Sequence, residues 1–287
     1  MSPAALLCLL PLLASAPGPV PEVRLERVGR LDHPPIREAS GLVRSRRFPG
    51  VYWVHNDSGN PPALFAVRRD GSLIREYSVN VINVDWEDIA VDDHGHLYIG
   101  DIGNNGGLLP LRAIYRLAEP DPAIEGETAL KVQTAIYYRF PSSGRFDAEA
   151  LVIDGDRALI ISKTFDDRSA AVYALPLEPP APLLRPAVPQ WVGTLPGFTQ
   201  PVTGADLSPD GRRLVVCSTH GVGVFLRSGR DGWTAFGQVS YRSGDQIEAV
   251  AWDGYDVLLA GEGRGVFRVP PAAWRGLRRP KGERVVP

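Results

Sequence analysis

Short apolar runs rich in Val, Ile, Leu and aromatic residues alternate along this chain with polar turns that carry Gly, Asp and Asn. β-Branched and aromatic residues favour strands, and turns of the Asp-Gly type favour tight connections between antiparallel neighbours. Apolar residues with the spacing of an amphipathic helix are absent from the sequence. The pattern therefore predicts an all-β protein.

A repeat organises these runs. Its first run begins with Glu, or once with Thr, and its five copies are EASGLV from Glu38, EDIAVDDHG from Glu87, EALVIDG from Glu149, TGADLSPDG from Thr203 and EAVAWDG from Glu248. A second apolar run follows each copy. A third run places an aromatic residue, predicted to pack in the core, at Phe65, Tyr115, Tyr173, Phe225 and Phe267. With a fourth, less regular run, each repeat has the four strands that are typical of a propeller blade.

The spacing of the repeats fixes the number of blades. Successive copies start 49, 62, 54 and 45 residues apart, which leaves no room for a further four-stranded unit between them. After Glu248 only three strands follow, whereas a spare strand, VRLERVGRL, precedes Glu38. We therefore predict a five-bladed β-propeller of four-stranded antiparallel blades, spanning residues 22–274 as one domain, in which the N-terminal strand closes the last blade. The Pro-rich stretch 176–189 is predicted to be a loop between the third and fourth strands of blade three.

The two ends of the chain differ from the repeats. Residues 1–16 contain an apolar run that ends in Ala14-Ser15-Ala16, a pattern typical of a signal peptide and too short for a membrane span. Residues 275–287 form a polar, Arg-rich tail. We expect a secreted or periplasmic monomer that keeps Cys217 alone after cleavage, so no disulfide forms within the mature chain.

Composition and motifs exclude several functions. The formal net charge of −2 offers no basic surface for nucleic acid or for an anionic membrane. The sequence contains no GxSxG elbow, HExxH pair, phosphate-binding Gly-rich loop or CxxC motif.

Acidic residues dominate one face of the predicted propeller. In an antiparallel blade the start of the first strand and the end of the second lie at the same face, and first strands line the pore. Glutamates at equivalent positions would then repel one another unless a cation, shared protons or a base compensates. Oxygen ligands suit Ca²⁺ or Mg²⁺. The candidate metal ligands are Glu38, Glu87, Asp101, Glu149, Glu248 and Glu262. The alternative is that each glutamate bonds backbone amides of the next blade and holds the ring together.

Four further polar residues on this face are candidates for binding a small polar or anionic ligand: Asn56, Asp57, Lys163 and His220. Lys163 is one of only three lysines in the chain. Thr203 stands where the fourth repeat lacks its Glu, and this gap is either the entry side of a ligand or sequence drift.

The motifs NDSG, NVDWEDIA, LYIGDIGNN, ISKTF and VTGADLSPDG, between about Glu38 and Phe267, resemble a group of secreted bacterial propeller proteins of no assigned function. More loosely, the Glu-led strands and the run IYRLAEP resemble the phytase-like and SdiA-regulated propellers. That wider group has six blades and binds Ca²⁺ through pore-facing acids, which implies a Ca²⁺ role here for Glu38, Glu87, Glu149 and Glu248. This sequence departs from the group in having five repeats and no Lys/Arg cluster for phosphate.

The leading hypothesis is a binding propeller with a divalent cation and a small ligand at the pore mouth. One alternative is a hydrolase of phosphoesters or glycosides that uses a pair of these carboxyl groups as acid and base. Another is a protein-interaction scaffold.

Overall fold

The computed structural model describes residues 20–104, 106–126, 128–140, 146–166 and 168–274. Their regular structure is β, apart from a short 3₁₀ turn at Pro271–Trp274. The predicted signal peptide and the predicted tail from residue 275 lie outside the described residues. No helix among the described residues is long and apolar enough to cross a membrane.

Five sheets form the five predicted blades. Blade one contains β2 (Ala39–Arg44), β3 (Tyr52–Asn56), β4 (Ala63–Val67) and β5 (Leu73–Val79). Blade two contains β6 (Trp86–Val91), β7 (His96–Asp101), β8 (Arg112–Ala118) and β10 (Thr134–Tyr138). Blade three contains β11 (Ala148–Asp154), β12 (Arg157–Ser162), β13 (Ala171–Pro176) and β14 (Gln190–Thr194). Blade four contains β15 (Gly204–Leu207), β16 (Arg213–Ser218), β17 (Gly221–Ser228) and β18 (Gly232–Ser240).

The chain closes the ring as predicted. Blade five contains β19 (Ile247–Asp253), β20 (Asp256–Gly261), β21 (Gly265–Val269) and the N-terminal strand β1 (Glu26–Arg30). β1 runs antiparallel to β21, with Glu26 opposite Arg268 and Arg30 opposite Gly265. Because the first and last parts of the chain pair in one sheet, the ring closes and β21 has no unpaired edge at the point of closure.

The core lies between the blades. Five separate clusters of buried apolar side chains each combine residues of two neighbouring blades, and the last of them joins blade five to blade one. Of the five repeated aromatic residues of the third strands, Phe65, Tyr115 and Phe225 belong to these clusters, and the partly buried Tyr173 and Phe267 pack against them. Each blade alone would leave both faces of its sheet in water, so packing of neighbours is what stabilises the ring.

Two local features extend the predicted blades. A short strand, β9 (Ala129–Leu130), adds to the outer edge of blade one by pairing parallel with β5, and the sequence pattern did not predict it. The Pro-rich stretch is the predicted loop between β13 and β14, and it runs beside β10, where Ala187 pairs with Tyr138. Both segments cover backbone groups that an outer edge strand otherwise exposes.

A β-bulge sets the position of the pore-facing glutamates. In blades two, three and five the extra residue of the first strand is Glu87, Glu149 and Glu248, respectively. In blade one the extra residue is Ser40, because Ala39 pairs with Asn56 and Gly41 pairs with His55. The prediction that Glu38 is equivalent to the other three glutamates was therefore wrong, since it lies two residues before the equivalent position, Ser40, and just ahead of the strand.

Polar side chains in the pore link different blades to one another. Asp88 Oδ2 accepts hydrogen bonds from the N–H groups of Leu151 in blade three, at 2.9 Å, and Ala205 in blade four, at 3.1 Å. Asp206 Oδ2 accepts the N–H of Trp252 in blade five at 2.8 Å. This linking role was the alternative considered for the glutamates, but within the described residues aspartates perform it.

Candidate functional site

Three rows of side chains surround one opening of the pore, here called the acidic mouth. The bulge row consists of the bulge residues Ser40, Glu87, Glu149 and Glu248, together with Thr203 at the corresponding position of the fourth sequence repeat. An entry row, two residues earlier, consists of Glu38, Asp85, Asp147 and Gln246. An exit row follows the second strands of blades one, two, three and five and consists of Asp57, Ile102, Lys163 and Glu262.

Backbone hydrogen bonds establish that the entry and exit rows are equivalent in blades one, two, three and five. The N–H of each exit-row residue donates to the carbonyl oxygen of the entry-row residue in its own blade. The four distances are 2.9 Å for Asp57 to Glu38, 3.1 Å for Ile102 to Asp85, 3.0 Å for Lys163 to Asp147 and 3.0 Å for Glu262 to Gln246. The same local geometry thus brings side chains from distant parts of the sequence to one rim.

Three carboxyl groups of this rim form an acidic trio. Oxygen atoms of Asp57, Asp85 and Glu87 all lie within 4.8 Å of one another. Glu87 is 1% exposed, and its Oε1 is buried without a hydrogen-bond partner among the described residues. A full charge on each member of a pair at this distance would cost about 3.5 kcal/mol at an effective dielectric constant of about 20. The trio therefore needs protons or a cation.

Gly103 leaves the space that the trio occupies. A Cβ atom at this position would lie 2.0 Å from Glu87 Oε1 and 2.6 Å from Asp85 Oδ2. Any larger residue would displace the carboxyl groups, so the glycine in the β7–β8 loop is a condition for their close approach. Gly103 was not among the candidate residues of the sequence analysis.

A second group of side chains lies beside the trio. Lys163 Nζ donates to Glu149 Oε1, whereas Glu149 Oε2 is buried and has no partner among the described residues. Gln246 Nε2 donates to Glu248 Oε1 at 2.7 Å and to Glu262 Oε1 at 2.8 Å. Lys163 thus lies among several carboxyl groups, those of Glu149, Glu248 and Glu87.

Burial and mutual repulsion raise the pKa values of these acids. Burial, followed by the charge of Asp57, raises the pKa of Asp85 to about 6. Burial raises the pKa of Glu149 to about 8, although Lys163 opposes the shift, and burial raises that of Glu248 to about 7. The pKa of Glu87 rises furthest, because burial adds to repulsion from Glu149. Carboxyl groups in this state exchange their protons for a cation readily, since the cation relieves the same repulsion.

The structure brings together some predicted site residues and separates others. Glu87, Glu149, Glu248, Glu262, Asp57 and Lys163 meet at the acidic mouth. Glu38 lies on the same face but is exposed, and its Oε2 accepts a hydrogen bond from Asn60 Nδ2 at 2.6 Å. Asp101 is buried with both oxygens engaged, by the N–H of Asp85 at 2.7 Å and by the hydroxyl of Tyr115 at 3.2 Å.

Two predicted ligand-binding residues have other surroundings. The side chain of Asn56 is buried, where its Oδ1 accepts the N–H groups of Arg37 and Glu38 and its Nδ2 donates to the carbonyl oxygen of Pro35. It therefore shapes the loop that carries Asp57. His220 is exposed on the blade-four side, and its Nδ1 lies 2.7 Å from Thr219 Oγ1.

Asp85 and Asp147 belong to the mouth but were not among the predicted ligands. Each lies two residues before a bulge-row glutamate, and this recurring spacing is the signal that identifies them in the sequence. Asp147 Oδ1 accepts the N–H of Asn104 at 2.8 Å, which ties the β7–β8 loop of blade two to blade three.

Comparisons with known proteins show no family for this chain. No protein-family model matches the sequence, and no curated protein matches it. Among solved structures, a catalytically inactive virginiamycin B lyase from Staphylococcus aureus with quinupristin aligns over 83% of this chain and 67% of its own, with 12% identity and a TM-score of 0.43. The PQQ-bound aldose sugar dehydrogenase from Streptomyces coelicolor aligns over 88% and 83%, with 12% identity and a TM-score of 0.48. Both are β-propeller proteins.

Proposed function

We propose that this propeller binds a divalent cation, of the Ca²⁺ type, through Asp57, Asp85 and Glu87, and that a small polar or anionic ligand binds above the ion. The observation that carries the proposal is the Oε1 of Glu87, which is buried, has no hydrogen-bond partner among the residues that the structure describes, and belongs to a trio whose carboxylate oxygens lie within 4.8 Å of one another. A buried acceptor of this kind normally has a partner.

The chemistry of the donors favours a hard cation. All three side chains offer carboxylate oxygen, and no histidine or cysteine belongs to the trio. Ca²⁺ accepts six to eight oxygen ligands in flexible geometry, whereas Mg²⁺ requires a near-ideal octahedron and usually keeps several waters. Three carboxylates from two blades, with Asp57 partly open to solvent, fit the more permissive ion.

The remaining residues of the mouth would serve the ligand. The Lys163 ammonium supplies positive charge beside the ion, and Glu149 and Glu248 balance it. The blade-four side of the bulge row carries the hydroxyl of Thr203 in place of a carboxylate, and the exposed His220 lies in the same blade. We infer that a ligand enters on this less acidic side, because an anion meets the least repulsion there.

We also propose that the protein acts outside the cytoplasm. The support is the apolar run and the small-residue cleavage pattern of residues 1–16. N-terminal sequencing of protein recovered from a cell envelope fraction tests the proposal, and a mature chain that still begins at Met1 contradicts it.

Calorimetric titration of the chelator-treated protein with Ca²⁺, and separately with Mg²⁺, tests the cation site. We expect heat and a rise in melting temperature with Ca²⁺ for the wild type, and neither for Asp57→Asn. Asp93→Asn is the matched control, because it makes the same chemical change at an exposed side chain that pairs with Arg46 in the β6–β7 turn. Absence of both heat and a melting shift in the wild type would overturn the proposal.

A further inference from the structure

Four large apolar side chains stand exposed on the loops that build the acidic mouth. Ile82 is 74% exposed, Val84 49%, Leu108 85% and Phe165 79%. Ile82 and Val84 lie between β5 and β6, Leu108 lies between β7 and β8, and Phe165 lies between β12 and β13. Burial of such side chains is favourable, so four of them at the rim of one opening require an explanation.

Three of these side chains lie next to residues of the polar site, either along the chain or in space. Val84 precedes Asp85 of the acidic trio, and Leu108 lies on the loop of Gly103. Phe165 lies two residues after Lys163, and the Lys163 Nζ is 5.7 Å from the centre of the Phe165 ring. An aromatic face therefore meets the one ammonium that pairs with the buried glutamate.

Among the described residues, these apolar side chains occupy only one part of the rim. All four lie in loops that lead into or belong to blades two and three. The rim of blades four, five and one instead presents His220, Gln246, Glu262, Glu38 and Asn60 at its exposed or partly exposed positions. The mouth is thus apolar on one side and polar on the other, with the carboxyl groups between them.

We propose that the ligand of this site is an amphiphilic anion, with an oxyanion head that contacts the ion and Lys163 and an aromatic or branched aliphatic body that lies on Phe165 and the neighbouring apolar side chains. This inference rests on the proposed function, because the head requires the bound cation. A purely polar ligand would leave the apolar half of the rim exposed to water. An apolar body removes that surface from water and gains free energy in proportion to the area covered.

A comparison of phenyl phosphate with methyl phosphate tests the inference. Both probes present the same head group to the full-length, Ca²⁺-loaded protein, and they differ in the group that would meet Phe165. Calorimetry or ligand-observed NMR gives the two dissociation constants. We expect phenyl phosphate to bind about tenfold more tightly than methyl phosphate.

Two variants locate the preference on the protein. Phe165→Ala should reduce the preference for phenyl phosphate over methyl phosphate to less than about threefold, while the affinity for Ca²⁺ stays at the wild-type value. Trp191→Ala is the matched control, because Trp191 is an exposed aromatic residue on β14, the outer strand of the same blade. This control should keep the full preference. Both side chains are largely exposed, so neither change is expected to prevent folding.

The outcomes separate the two proposals. Normal Ca²⁺ binding with equal affinity for the two phosphates, or a preference that Phe165→Ala leaves intact, overturns this inference alone. Failure of Ca²⁺ to bind the wild type overturns the proposed function and, with it, this inference. A tenfold preference that depends on both Ca²⁺ and Phe165 supports both.

Discussion

The ammonium of Lys163 donates to one carboxylate oxygen of Glu149, while the other oxygen of the same carboxylate is buried without a partner among the described residues. Burial alone would lower the pKa of Lys163, but the Glu149 carboxylate reverses this effect and raises it, so the ammonium stays charged. Lys163 is therefore a built-in cation of the acidic mouth. It compensates Glu149 and leaves the acidic trio to an external cation.

Lys163→Met should destabilise the ion-free protein by about 3 kcal/mol, because removal of one partner leaves the buried Glu149 carboxyl group uncompensated. Added Ca²⁺ should raise the melting temperature more in this variant than in the wild type, since the ion then supplies the main positive charge of the mouth. Urea unfolding in chelator and thermal melts with and without Ca²⁺ at pH 8 measure the two effects.

The double variant Glu149→Gln/Lys163→Met controls for the loss of the side chain itself. It removes both charges and should recover most of the lost stability, as expected when a buried pair is replaced together. A single variant as stable as the wild type in chelator would contradict a compensating role of Lys163.

Glu87→Gln should have opposite effects on the ion-free and ion-loaded states. Without a cation, the change removes a carboxyl group whose ionisation is opposed by burial and by its neighbours, so we expect a gain of about 2 kcal/mol at pH 8. With Ca²⁺ present, the stabilisation by the ion should be lost, because a central ligand is missing. Melting curves in chelator and in excess Ca²⁺ provide the measurement, with Asp93→Asn as the reference variant. A variant that still gains stability from Ca²⁺ would remove Glu87 from the site.

The pH dependence follows from the raised pKa values of Asp85, Glu248 and Glu149, about 6, 7 and 8. In the unfolded chain these groups titrate near pH 4, so between pH 4 and pH 8 the folded state binds more protons than the unfolded state. Stability of the ion-free protein should therefore be highest near pH 4 to 5 and should fall as the pH rises to about 8. Urea unfolding in chelator across this range measures how the free energy of unfolding changes with pH. A stability that increases with pH would contradict the prediction.

Binding of Ca²⁺ should show the complementary behaviour. The ion displaces the protons that its ligands Asp85 and Glu87 hold because of their raised pKa values, so its affinity should rise between pH 6 and pH 8, and protons should be released. Calorimetric titration in two buffers of different ionisation enthalpy counts the released protons. A titration heat that is the same in both buffers at pH 6.5 would mean that no proton is exchanged.

The sequence pattern predicted the fold more completely than the site. The number of blades and the closing strand followed from the repeat spacing and from the unpaired run before Glu38, and both are confirmed. The bulge position was not predictable in the same way. Side chains of a strand alternate with a period of two, so Glu38 and Ser40 face the same side, and a shift of two residues leaves the hydrophobic pattern unchanged. Only the strand register shows that Ser40 is the equivalent of Glu87.

The partners of polar side chains were the other part that the sequence did not determine. Asp101 and Asn56 lie at the predicted face, but nearby backbone groups and a tyrosine occupy their hydrogen-bonding atoms. Asp85 joins the trio because Gly103 leaves room for it, and these residues are 18 positions apart in the sequence. Such contacts depend on loop conformation, which apolar periodicity does not encode.

Asp88 provides a test of how the ring itself is held together. Its carboxylate accepts the N–H groups of Ile89, Leu151 and Ala205, and so joins blades two, three and four inside the pore. Burial raises its pKa above the usual value even though the three N–H groups lower it. Asp88→Ala should therefore lower the free energy of unfolding by about 4 kcal/mol. Three buried donors lose their acceptor at about 1–3 kcal/mol each, and partial relaxation of the structure recovers some of this loss.

Ser40→Ala is the matched control for Asp88→Ala, since the Ser40 hydroxyl donates a single hydrogen bond from blade one to the carbonyl oxygen of Glu87 in blade two, at 2.7 Å. Ser40→Ala should lower the free energy of unfolding by about 1 kcal/mol. Denaturant unfolding at constant pH in chelator compares the two variants. A loss below 1 kcal/mol for Asp88→Ala, or equal losses for both variants, would show that the aspartate is not a principal link between the blades, and that apolar packing alone closes the ring.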